Sequence, residues 1–212
     1  MKKEVVILTM SSKHKKYCVA GLDTSNGRWI RFVSNDETSR GALSGRDVIY
    51  ENKTYCQPLD IVRITVLKEL PIEYQPENVL IDSEIYWEKI GQLDINALLR
   101  TFPPETPSTI LGSLASYARE AEMRQIGHSL VRIEATDLHV THPEEYKTKA
   151  SFIYNNNRYN NMSVTDPDFY KKPAFHAERA LLIVSLPDTP FDVYGENRYY
   201  KFVAKIIPIL AK

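Results

Sequence analysis

The chain has 212 residues, 43% of them hydrophobic and 25% charged, which is enough apolar content for a core and too much for a disordered chain. That length holds one large domain or two of about 100 residues each. Lysine and arginine total 27, as do aspartate and glutamate, and the zero net charge excludes a uniformly basic nucleic-acid binder.

The balance hides an asymmetry. Residues 1–63 carry 11 basic against 7 acidic side chains, residues 64–125 carry 5 against 10, and residues 126–212 carry 11 against 10. An anionic partner therefore belongs with the first third.

The opening MKKEVVILTM is too short for a secretory core, is interrupted by Glu4 and lacks a cleavage site. It reads as a first strand at residues 5–10. Strands at 17–23 and 28–33 follow, joined by the TSNG turn, whose asparagine and glycine tolerate positive φ. A short strand fits 47–50, and the β-branched IVRITV run marks a strand at 60–67. Five short strands by residue 70 suggest a small barrel.

Residues 71–125 change character. Pro71 and Pro76 mark an extended linker, Asp94 N-caps a short helix that Pro103 and Pro104 stop, and Thr106-Pro107 opens a second helix. Ile110, Leu111, Leu114, Ala118 and Ala121 recur at helical spacing in it.

Strand patterns return from residue 126. Residues 130–135 and 138–142 read as one bent strand, and 149–154 and 158–164 flank an Asn155-Asn156-Asn157 hairpin turn. An apolar strand at 180–186 and a tail strand at 199–210 complete the set. The fold class is mainly β: two small barrels, 1–70 and 126–212, joined by an acidic bridge with two short helices at 71–125. KYCVAGL near the start and YKFVAKI near the end echo each other, which fits related barrels or shared strand composition.

Cys18 and Cys56 make neither a disulfide framework nor a zinc site. They read as free thiols in a reducing, cytoplasmic setting. No window approaches the roughly 20 apolar residues of a membrane span.

In GRWIRFV, alternation separates Ile30 and Phe32 from Trp29 and Arg31. An indole beside a guanidinium suits stacked bases and phosphates, and equally suits a surface ladder. Lys13, His14, Lys15 and Lys16 precede the second strand in a loop that would rim a barrel groove, or simply face water. Tyr199, Lys201 and Lys205 share one face of the tail strand, and Arg158 and Tyr159 follow the asparagine turn. Either set could hold an unpaired base or serve the sheet itself. Asp166, in the TDP step, reads as a turn carboxylate. His139 and His142 lack a completing ligand set, so no metal is expected. No phosphate-cradling glycine loop, GxSxG or HExxH motif occurs, and neither a catalytic residue nor a cofactor is assigned.

Three blocks together, SSKHKKYCVAGLDTSNGRWIRFVS, SVTDPDF and YYKFVAKIIPI, resemble the bacterial dual OB-fold domain family. The resemblance implies two oligonucleotide/oligosaccharide-binding barrels in tandem and non-catalytic binding of single-stranded or structured RNA or DNA, in defence or RNA repair. Two alternatives stay open. One is an enzyme on nucleic acid or nucleotide, with Lys13, His14, Asp166 and Lys201 converging between barrels. The other is a protein-interaction module, including a homodimer.

Overall fold

The β-branched and alternating runs build two units, Met1–Ile72 with Pro76–Pro103, and Glu73–Gln75 with Pro104–Lys212. The structure is a computed structural model and describes residues 1–13, 16–36, 41–145 and 147–210, without the side chains of residues 12 and 13.

The first unit contains β1 (Lys2–Lys13), β2 (Lys16–Asp23), β3 (Trp29–Val33), β4 (Asp60–Glu69) and β5 (Asn78–Ile81). They lie in the order β1-β2-β3-β5-β4, and β4 pairs back with β1, so the sheet closes. The β3–β5 pairing is parallel and the others are antiparallel. Closure leaves these five strands without a free edge over their paired lengths. β6 (Glu88–Gln92) adds to β4 outside the barrel. Burial alternates along β4, where Val62, Ile64 and Val66 point inward. Val5, Ile7, Val19, Phe32 and Trp87 pack with them. In β1 burial is unbroken from residue 5 to residue 10, so that strand is covered on both faces.

After β6, Asp94 accepts a 2.8 Å hydrogen bond from the Ala97 amide and caps α1 (Ile95–Thr101), which ends before Pro103 as the sequence predicts.

The second unit opens with β7 (Tyr117–Arg119) and α2 (Glu120–Ile126). β8 (Leu130–Glu144), β9 (Lys147–Tyr154) and β10 (Asn157–Val164) follow. β11 (Phe175–Ser185), β12 (Phe191–Val193), β13 (Glu196–Tyr200) and β14 (Phe202–Pro208) complete the chain. β8-β9-β10-β14-β11 form a closed barrel, with β10 and β14 parallel. In order of appearance the strands again run first, second, third, fifth, fourth, so the two barrels share one topology. The echo between KYCVAGL and YKFVAKI falls on β2 and β14, which are not equivalent strands, and reflects composition alone. β12, β13 and β7 make a separate small sheet.

Four sequence expectations change. The first barrel does not end at residue 70, because its fifth strand is β5 and the first unit runs on to Pro103. Residues 47–50 form a 3-10 turn at Arg46–Val48, followed by single bridges from Ile49 to Tyr55 and from Tyr50 to Trp87. The apolar spacing after Thr106 does not form one continuous helix: Ile110–Gly112 is a short 3-10 turn, Ala118 lies in β7 and Ala121 in α2. Leu111 and Gly112 take positive φ (45° and 85°), and the Ile110 amide donates to the Tyr159 hydroxyl at 3.1 Å instead of to a helical carbonyl. The tail is two strands, β13 and β14, meeting at Lys201. No helix among the described residues is long and apolar enough to cross a membrane.

Candidate functional site

A cavity of about 940 Å3 opens in the first unit beside the β4–β6 pair. Its aromatic wall is assembled by backbone pairing across long sequence separation. Tyr50 bridges Trp87, and Ile49 bridges Tyr55, across a turn in which Lys53 takes φ 68° and the Asn52 side chain accepts from the Thr54 amide. Tyr50 and Trp87 are buried, while Tyr55 and Tyr86 are 51% and 37% exposed at the mouth.

Asp60 sits at the first inward position of β4, with no exposed surface. Its Oδ2 accepts from the Tyr50 hydroxyl at 2.6 Å and the Gln57 amide at 3.0 Å, and the Lys89 ammonium lies 2.5 Å from its Oδ1. Burial, then the bond to Asp60, pushes the Tyr50 phenol far above its ordinary value. Burial also raises the neighbouring Cys56 thiol to about 12, so it is an inert thiol. Lys53 contacts the Tyr86 hydroxyl and stands 3.9 Å over the Tyr86 ring, which lowers that phenol. The Trp87 indole nitrogen is buried and has no hydrogen-bond partner among the described residues.

The lining carries Lys2 and Lys89 against Glu51, Glu84, Glu88 and Asp60. Arg46 and Arg63 pair with Glu84 and Glu88 at 3.6 and 2.9 Å, which offsets much of that negative charge. Flat rings, a balanced rim and buried polar atoms suit an aromatic, hydrogen-bonding ligand better than a bare polyanion.

The residues singled out by sequence fall elsewhere. His14, Lys15 and the Lys13 side chain lie outside the described residues. Lys16 pairs with Asp36 at 2.5 Å. Trp29 is half-buried on β3. Arg31 does not share an open groove with it: Arg31 is 9% exposed and its Nε faces Glu77 at 3.5 Å, because β3 is buried along nearly its whole length. Tyr159 is a core residue, stacked on Phe152 at 5.6 Å. Tyr199 is also buried, edge-on to Tyr74 at 5.4 Å. Neither ring offers a face to a ligand.

Lys205 is buried, with its Nζ 3.2 Å from Asp166 and 2.5 Å from Asp168. Arg158 remains exposed and donates to Asp137 at 2.8 Å. With the help of His139, it holds the Asp137 carboxyl down to about 2. Asp166 accepts from the Asp168 and Ile206 amides, the turn role read from sequence.

Lys201 is 1% exposed, and its ammonium meets the Ser113 carbonyl at 2.7 Å with the Ser113 hydroxyl and Ala115 carbonyl at 2.9 Å. It is a structural amine, and burial pushes it down to about 7 from an ordinary 10.5. Between those values the unfolded chain holds a proton that the folded chain has released, so second-unit stability rises with pH across that window. The urea midpoint should climb from pH 7 to pH 9 in the wild type and stay flatter in Lys201→Met; an equal climb in both would place the proton elsewhere.

The aromatic wall was not legible in sequence, because Tyr50, Tyr55, Tyr86 and Trp87 are joined by isolated bridges and follow no local period.

Residues 3–206 match the model of the family described as the Dual OB-containing domain. The chain belongs to that family. This dual OB-containing chain matches no curated protein. Among solved structures it is similar to a murine DNA-binding protein bound to double-stranded DNA, at 10% identity and a TM-score of 0.34, over 99% of this chain and 100% of that one. That likeness is too remote to carry an argument.

Proposed function

We propose that the chain is a non-catalytic nucleic-acid-binding protein, and that the cavity of the first unit receives a base from single-stranded or locally unpaired RNA or DNA. The observation that carries this reading is the pair of exposed rings, Tyr55 and Tyr86, at the mouth of an aromatic cavity in an OB-type barrel. OB barrels bind oligonucleotides and oligosaccharides, and bases stack on such rings irrespective of sequence. Lys2, Lys53 and Lys89 supply cations for the flanking phosphates. Trp29, Lys13, His14, Lys15 and Lys16 add aromatic and basic side chains to the basic first third of the chain. Two free thiols suit a cytoplasmic setting.

The test is a salt-titrated binding panel of labelled single-stranded RNA, single-stranded DNA, duplexes and a neutral oligosaccharide. Tyr55→Ala and Tyr86→Ala should each weaken single-strand binding by about 1–3 kcal/mol, roughly 5- to 150-fold, while leaving Tm in place. Affinity should fall as salt rises. Flat curves for every nucleic acid, or full affinity in both variants, would overturn the reading.

A further inference from the structure

We propose that Asp137, His139 and His176 form a binding site for one divalent transition-metal ion of the zinc class on the second barrel. The site uses none of the residues that line the first-unit cavity.

The sheet builds it. Asp137 and His139 are two apart on β8 and so share a face, and the β8–β11 register sets His176 directly across from His139. Their rings lie 4.6 Å apart, centroid to centroid. Asp137 takes a left-handed φ of 49° where the β8–β9 register shifts between Thr136 and His139. Its Oδ1 stands 2.8 Å from the His139 Nε2 and 3.6 Å from the His176 Nε2, and the three donor atoms all lie within 4.8 Å of one another.

A tetrahedral ion with bonds of about 2.0–2.2 Å needs donor separations of roughly 3.3–3.6 Å. The two carboxylate–imidazole separations bracket that range, so small side-chain rotations close the set. The donor types, two imidazoles and one carboxylate, suit zinc, cobalt or nickel in preference to calcium or magnesium. Arg158 donates to the other carboxylate oxygen, Oδ2, at 2.8 Å, which fixes the group, and the ion would replace the His139–Oδ1 hydrogen bond. The three side chains are 40–52% exposed, so the ion enters from solvent and keeps an open position for water or another ligand.

Equilibrium zinc titration of the full chain against a chromophoric chelator tests the proposal. The wild type should bind one ion and gain Tm on binding. His139→Ala and His176→Ala should each lose at least tenfold in zinc affinity without changing the metal-free Tm, while His128→Ala, exposed and outside the cluster, should bind as the wild type does. Calcium should not compete. Absence of zinc binding by the wild type, or undiminished binding by His176→Ala, would overturn the proposal.

Discussion

Gly21→Ala is expected to destabilise the first barrel by about 3 kcal/mol, the upper part of the range for forced overpacking. A Cβ on Gly21 would lie 2.1 Å from the Val6 carbonyl oxygen and 2.9 Å from the Val6 carbonyl carbon. Both are backbone atoms, so no rotamer change relieves the clash. Residues 5–10 of β1 are buried, and β1 pairs with both β2 and β4, so moving Val6 disturbs two ladders. The ladder shifts between Ile7 and Thr9, which brings the strands close together beside this glycine. Both tryptophans, Trp29 and Trp87, lie in the first unit, so indole fluorescence reports its unfolding separately. Gly195→Ala is the control: nothing lies within 4 Å of its Cβ, but its φ of 81° costs about 1–2 kcal/mol, in the other unit. An unshifted denaturation midpoint for Gly21→Ala would mean that the β1–β2 approach is looser than described.

The barrels were legible where local pattern and tertiary pairing agree. The alternation of β4, the asparagine turn between β9 and β10 and the Asp94 cap each rest on neighbours in sequence. Asn155 and Asn156 do take positive φ there. β5 escaped notice because four residues, NVLI, carry no period, and the strand is defined by its tertiary pairing, parallel with β3 and antiparallel with β4. The site was harder to read. Alternation places Arg31 opposite Ile30 and Phe32, but a closed barrel with its outer face covered buries both sides, and Glu77 from the segment before β5 meets the guanidinium. The same logic hid the histidine cluster. His142 is nearer to His139 in sequence, yet its partner is Thr148, while the strand register brings in His176 from 37 positions away.

Asp166→Ala should cost the second barrel about 3–5 kcal/mol, the usual loss when one member of a buried ion pair is removed. Asp166 is 1% exposed and accepts from the Ile206 amide at 3.0 Å, the Asp168 amide at 3.2 Å and the Lys205 ammonium at 3.2 Å. It therefore ties the loop after β10 to β14 just beyond the parallel pairing of those strands. Alanine leaves two amides without acceptors and Lys205 with Asp168, whose side chain is 62% exposed. That remaining partner moves the expected loss toward 3 kcal/mol. Burial raises the Asp166 carboxyl, whereas the bond to Lys205 lowers that of Asp168. For Asp168 the folded value lies below the ordinary 3.8, so its stabilisation is present above 3.8 and is lost as pH falls through the folded value. For Asp166 the folded value lies above 3.8, so stability rises as pH falls toward 3.8 and this group does not drive acid unfolding. Amide hydrogen exchange at Ile206 is the direct readout: it should accelerate strongly in Asp166→Ala and only modestly in Asp168→Ala, the reverse order being incompatible with a buried Asp166 anchor.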